Sequence, residues 1–225
     1  MTVELRLALQ ERRADELAAR VTRLLGPFAG TELALDSGTG TGALAAALAP
    51  HVGTVVGVDS NAEYVAAARE LGIGNAEFVE GDATSLPFEY GRFDISGCLR
   101  LLHHVRRPEL VVAELARVTR AGGRILVADQ LGPTDPLRSL ELDRFERVRD
   151  PSHQRLLPDA DVRGYLDAND LVLLSFETTH EQVDLEERLE LADVPEEQRV
   201  RVRGLAPGSV YEIVVGWYLA QKPVP

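Results

Sequence analysis

The 225-residue chain has one cysteine, one methionine and one tryptophan, and aromatic residues make up only 5% of it. A lone thiol, Cys98, excludes an intrachain disulfide and leaves no thiolate cluster for zinc or arsenic. A reduced, cytoplasmic setting is therefore expected, with no metal site. No apolar run reaches the roughly 20 residues that a membrane-spanning helix needs, so membrane insertion is not expected. The opening stretch, Met1 to Arg13, alternates charge with leucine and lacks the apolar centre of a signal peptide. Basic residues are scarce too: 24 Lys and Arg stand against 36 Asp and Glu, a formal net charge of −12. Such a surface repels phosphate backbones, which argues against nucleic acid as a partner. The densest cationic cluster, Arg144, Arg147 and Arg149, alternates with Asp143, Glu146 and Asp150. It reads as a solvated helix face ahead of an anion site.

What is present suffices for one core. With 45% hydrophobic residues, the length suits a single α/β domain over 1–225. Leu17, Val21 and Leu24 share one face of an amphipathic helix from about Val3 to Leu25, closed by Gly26-Pro27. A strand-helix rhythm follows. Strands are expected at Glu32–Asp36, Thr54–Asp59, Ala76–Val79, Phe93–Gly97 and Arg124–Asp129. Between them, Gly42–Ala49 reads as helix, and Ser60 with Glu63 reads as a capping box opening a helix to Leu71. Pro108 suits the first position of a helix through Thr119 that Gly122-Gly123 would stop. Alternation at this spacing implies a parallel sheet with helices on both faces. The last third breaks the rhythm: helices at Leu137–Val148, Asp159–Ala168 and Glu186–Val202, and strands at Leu171–Thr178 and Val210–Ala220, the final one antiparallel.

The chemistry centres on Asp36-Ser37-Gly38-Thr39-Gly40-Thr41-Gly42, placed where the first strand meets its helix. Glycines there let a ligand approach the main chain, and the helix N-terminus offers free N–H groups. Asp59, ending the second strand, is suited to accept hydrogen bonds from both hydroxyls of a ribose. Gly38, Gly40 and Ala43 also satisfy a dinucleotide pattern, which keeps a nicotinamide-dependent oxidoreductase as an alternative. Asp36 before the loop and Asp82 after the third strand weigh against it. Extra carboxylates oppose a pyrophosphate and suit a cationic ligand.

Leu35 to Gly42, Val58-Asp59-Ser60, Gly81-Asp82-Ala83 with Leu86-Pro87-Phe88, Arg92 to Ile95, Leu102-His103-His104-Val105 and Arg117 to Arg124 follow one another in order. Together they resemble the motif series of class I methyltransferases, the small-molecule type related to the ubiquinone and menaquinone C-methyltransferases. The resemblance covers roughly Leu33 to Asp129. It implies a Rossmann-like seven-stranded mixed sheet, order 3-2-1-4-5-7-6 with strand 7 antiparallel. It implies S-adenosylmethionine as cofactor, with S-adenosylhomocysteine as product, and a small-molecule C- or O-nucleophile as methyl acceptor. Residues 1–30 would form a helical lid, 31–130 the cofactor core, and 131–225 the substrate-shaping helices and last strands. The backbone of Gly38, Thr39, Gly40 and Gly42 would pass under the methionine moiety, with Asp36 near its ammonium. Asp59, beside Ser60, would hold the ribose; Asp82 and Ala83 would flank the adenine; and Cys98 and Leu99, past strand 4, would sit by the methyl end. The chain departs from that pattern at Asp36-Ser37 (commonly Val-Gly or Ile-Gly), at Thr39 (commonly Cys), and in lacking an N-terminal Tyr near the entrance.

Methyl transfer needs alignment and a dry site more than a reactive side chain, and a base only where the acceptor must lose a proton. Candidates for that base are His153, His104 and His103. Adjacent histidines are not expected both to face one site. No Asn/Asp-Pro-Pro-Tyr sequence follows strand 4, which disfavours an amino-group acceptor on adenine or glutamine. A non-catalytic cofactor-binding protein is the other alternative. The charged helix near Glu186 would either cover the site or pair two copies of the chain.

Overall fold

The computed structural model describes residues 3–191 and 194–224. Its strands are β1 (Leu33–Ser37), β2 (Thr54–Asp59), β3 (Ala76–Glu80), β4 (Phe93–Leu99), β5 (Thr119–Gln130), β6 (Val172–Asp184) and β7 (Val210–Gln221). The helices are α1 (Val3–Leu25), α2 (Ala43–Leu48), α3 (Ala62–Glu70), α4 (Pro108–Val118), α5 (Pro136–Arg149), α6 (Asp159–Asp167), α7 (Leu185–Leu191) and α8 (Glu196–Leu205). The strands make one Rossmann-like sheet in the order β3-β2-β1-β4-β5-β7-β6. Neighbours run parallel from β3 to β5, and β7 runs antiparallel to both β5 and β6. The topology expected from the motif resemblance is the one observed.

Strand alternation divides the core into two layers. Ala34, Val55, Ile95, Leu126 and Trp217 join one apolar cluster with Val21 and Leu25 of α1, Leu44 and Leu48 of α2, and Phe145 of α5. Leu35, Val56, Ile125, Val127 and Tyr218 join the other, with Val111 and Leu115 of α4 and Leu166 of α6. Each fully buried side chain of this kind stabilises the fold by about 1.5–3 kcal/mol. The sheet is thus covered on both faces, and its free chemistry gathers at the carboxyl ends of the parallel strands.

Four local expectations are corrected. The cap of α3 is Asn61, not Ser60: Asn61 is extended and its side chain accepts from the Glu63 N–H, while Ser60 is exposed. Helix α4 stops at Val118 without glycine. Thr119 already pairs with Phe93 in β5, and Gly122-Gly123 fall inside a register shift where a Cβ on Gly123 would stand 2.8 Å from the Asp94 carbonyl. The charged segment after β6 is two helices, α7 and α8, with Pro195 as the N-cap of the second; Ala192 and Asp193 between them lie outside the described residues. The Arg144–Asp150 stretch is solvated on one side only: Arg144 and Arg147 are exposed, whereas Asp143, Glu146, Arg149 and Asp150 are buried. Glu146 holds Arg149 there at 2.5 Å. No helix among the described residues is long and apolar enough to cross a membrane.

Candidate active site

The glycine loop is built as a turn that only glycine fits. Gly38, Gly40 and Gly42 take φ of +71°, +54° and +89°, the left-handed region that other residues rarely adopt. At Gly38 and Gly42 space is short as well. A Cβ on Gly38 would stand 2.5 Å from Leu101, and one on Gly42 2.9 Å from Leu71. The N–H groups of Gly38 and Thr39 both donate to the Val58 carbonyl at 2.8 Å, pinning the loop to the end of β2.

Two carboxylates border it. Asp36 is almost fully buried (1% exposed); its Oδ2 accepts from the Thr39 hydroxyl at 2.6 Å and the Ala45 N–H at 2.9 Å. Its Oδ1 is buried with no hydrogen-bond partner. Burial pushes its pKa up to about 7, against those two hydrogen bonds. The two departures from the family pattern therefore answer each other, since Thr39 supplies a donor that Asp36 uses. Asp59, half-buried, accepts from the Gly40 N–H at 2.8 Å and the Asn61 N–H at 2.9 Å, so it braces both the loop and the start of α3. Asp82 is exposed and turns back on its own loop through Thr84, beside the buried Ala83. Cys98 and Leu99 lie within β4 rather than past it. The Cys98 thiol is fully buried in the apolar layer, which raises its pKa well above the usual value. The residue that covers Gly38 is Leu101, which the sequence reading passed over.

Past β4, Arg100 takes φ +53°, an uncommon conformation for a non-glycine residue and one often kept at functional sites. A 3-10 turn, Leu102–His104, follows. That turn sets the two histidine rings side by side, with centroids 4.1 Å apart; His153 lies 5.8 Å from His103. Each ring has its own acid. His103 Nδ1 bonds Asp129 Oδ1, and Asp129 also accepts from the N–H groups of Leu102, His103 and Gln130. Burial works to raise the pKa of Asp129, but His103 and these bonds outweigh it and hold the carboxylate ionised. His104 Nδ1 meets the Ser152 hydroxyl at 3.0 Å, which donates to Asp150 at 2.6 Å. Burial, aided by the neighbouring His103, drops the His104 pKa to about 3. His153 sits between α5 and α6, 3% exposed, with Nε2 on Asp143 at 2.9 Å and Nδ1 buried without a partner. Asp129 also escaped the sequence reading, although an aspartate closing an apolar strand is a legible signal.

Fold and glycine turn together define the class, a Rossmann-like methyltransferase sheet. Residues 35–127 match the family model described as a methyltransferase domain. It is similar to YcgJ of Bacillus subtilis, called an uncharacterized methyltransferase: 38% identical over 141 residues, covering 61% of this chain and 56% of the relative. The crystal structure of YcgJ superposes with a TM-score of 0.87 at 24% identity, over 94% of this chain and 100% of that one. A putative methyltransferase from Bacillus halodurans gives a TM-score of 0.83 at 27% identity, over 92% and 99%. The ubiquinone/menaquinone biosynthesis C-methyltransferase UbiE of Pseudomonas fluorescens is 35% identical over 59% of this chain and 55% of its own length. The chain spans about half the length of the curated relatives it matches.

Proposed function

We propose that this protein transfers a methyl group from S-adenosylmethionine to a small-molecule C- or O-nucleophile in the cytoplasm. The observation that carries the reading is the acid-bordered glycine turn, with Asp36 Oδ1 buried and unpartnered beside three glycines in the left-handed conformation. Such a set fits an ammonium, a sulfonium and a ribose, and it disfavours the pyrophosphate of a dinucleotide. Residues 31–130 serve as the cofactor core, residues 1–30 as the lid, and residues 131–225 shape the acceptor side.

Asp36 would face the ammonium. Asp59 would hold the ribose hydroxyls while keeping its bonds to Gly40 and Asn61, and Asp82 and Ala83 would flank the adenine. When bound, the cofactor supplies a methyl carbon already activated by its sulfonium. The chain's own task is to align the acceptor and remove its proton. His103 suits that task best. An ionised Asp129 accepts at Oδ1, so Nδ1 of His103 is the donor and Nε2 is left free to take a proton. His104, its pKa near 3, is too weak a base at neutral pH, and His153 is sealed behind Asp143. A base of this kind fits an acceptor with a weakly acidic O–H or C–H, such as a phenol or a quinone precursor. The name of UbiE, a quinone C-methyltransferase, supports that class from the side of the relatives.

The test is Asp59→Ala, read by calorimetric titration with S-adenosylhomocysteine. Losing two charge-assisted hydrogen bonds weakens binding by about 100-fold or more. Unchanged affinity would remove the ribose assignment.

A further inference from the structure

Helix α1 carries five arginines: Arg6, Arg12, Arg13, Arg20 and Arg23. Four are tied down on the edge strand β6 and on α7. Arg12 pairs with Glu187 at 3.0 Å, Arg13 with Glu181 at 3.1 Å, and Arg20 and Arg23 with Glu177 at 3.0 and 2.6 Å. Arg6 differs: no carboxylate among the described residues pairs with it, and its Nε is buried without a hydrogen-bond partner. It is also the arginine that reaches the glycine loop. A Cβ on Gly40 would stand 3.7 Å from Arg6 Nη1, and the guanidinium lies 4.6 Å over the Tyr64 ring of α3. One turn further along α1, the Gln10 side-chain carbonyl accepts from the Thr41 hydroxyl at 2.7 Å and fixes the helix against the loop.

A partly buried guanidinium without a counter-ion is costly, and its presence beside a loop bordered by Asp36 and Asp59 calls for an anion. The proposed cofactor brings one. Its methionine moiety carries an ammonium and a sulfonium, which the acids suit, and a carboxylate, which they repel. We propose that Arg6 is the counter-ion of the cofactor carboxylate, delivered by α1 across the glycine loop. The assignment rests on S-adenosylmethionine being the cofactor. It also gives α1 a recognition role: the ion pairs to β6 and α7 hold the helix where Arg6 can form a two-pronged contact with a carboxylate.

The test compares two ligands that differ by that carboxylate, S-adenosylhomocysteine and its decarboxylated form S-adenosyl-3-thiopropylamine. Both are titrated calorimetrically into the wild type, Arg6→Ala and Arg6→Lys. Arg6→Ala is expected to bind S-adenosylhomocysteine about 10- to 100-fold more weakly and the amine as the wild type does. Arg6→Lys, which keeps the charge but not the fork, falls between. Equal losses for both ligands would make Arg6 a brace for α1 and overturn the proposal, as would no loss for either. A wild type that binds neither ligand overturns the cofactor reading itself, and this assignment with it.

Discussion

Asp36 and Asp129 are the same residue type near the ends of two parallel strands, each 1% exposed, yet their pKa values are displaced in opposite directions. Asp36, near the end of β1, has two hydrogen bonds and one bare oxygen, and burial lifts its pKa to about 7. Asp129, near the end of β5, has His103 and three backbone N–H groups, and its pKa falls below the usual carboxylate range. Burial alone therefore does not set the charge of an acid; its partners do. The contrast sorts the cleft into two roles. A poorly satisfied acid is suited to receive a cation from a ligand, whereas a fully satisfied one is suited to orient a base.

The largest expected effect comes from breaking the satisfied side. Asp129→Asn can no longer fix His103 with Nδ1 as donor, so turnover should fall about 10²- to 10⁴-fold, as should that of His103→Ala. S-adenosylhomocysteine affinity should stay near the wild-type value, and steady-state kinetics beside calorimetry would show the split. A parallel loss of affinity would place Asp129 in cofactor binding and dissolve the contrast.

A third buried acid extends the comparison to stability. Glu146, 1% exposed, neutralises Arg149 and faces Arg188 at 3.9 Å. Glu146→Ala leaves the buried Arg149 guanidinium without its carboxylate and should cost about 3–5 kcal/mol, measurable by urea unfolding. A change within the range of a surface mutation would mean that water reaches these arginines.

The smallest effect is a slope. In the native chain Asp36 keeps its proton to about 7, whereas in the unfolded chain it ionises near 3.8. Between those values the unfolded state binds fewer protons, so this residue makes stability fall as pH rises through the window. Asp129 works in the other direction: its contribution is present above the ordinary carboxylate range and is lost as pH falls through its lowered pKa. His104, lowered to about 3 from 6.5, also makes stability rise with pH between those values. Asp36→Asn should therefore steepen the net rise in stability between about pH 4 and 7, read as unfolding free energy at a series of pH values. An unaltered slope would show that Asp36 is ionised in the fold.

Which parts of this were legible in the sequence follows from how each is encoded. The glycine loop and the strands β1 to β5 were readable because their constraints are local: left-handed turns select glycine, and buried parallel strands select short apolar runs. Strand β2 and helix α1 were placed with the bounds observed. Long-range pairings were not readable. Nothing local shows that Asp143 of α5 would receive His153, or that Asp129 would receive His103. The charge-rich α5 looked solvated because its acids and bases alternate, while its inward side is held by pairs such as Glu146 with Arg149. Nor does the His103-His104 pair show locally that one ring meets Asp129 and the other Ser152. Arg6 carried no local signal at all, since five arginines on a helix look alike until four find partners.

The measurement that bears most directly on the central claim is calorimetric titration of the folded wild-type protein with S-adenosylhomocysteine, run beside NADH. The expected result is saturable one-site binding of S-adenosylhomocysteine and none of NADH. Absence of S-adenosylhomocysteine binding by a folded sample, or saturable binding of NADH, would contradict the assignment of the glycine loop to a methyl-donor cofactor.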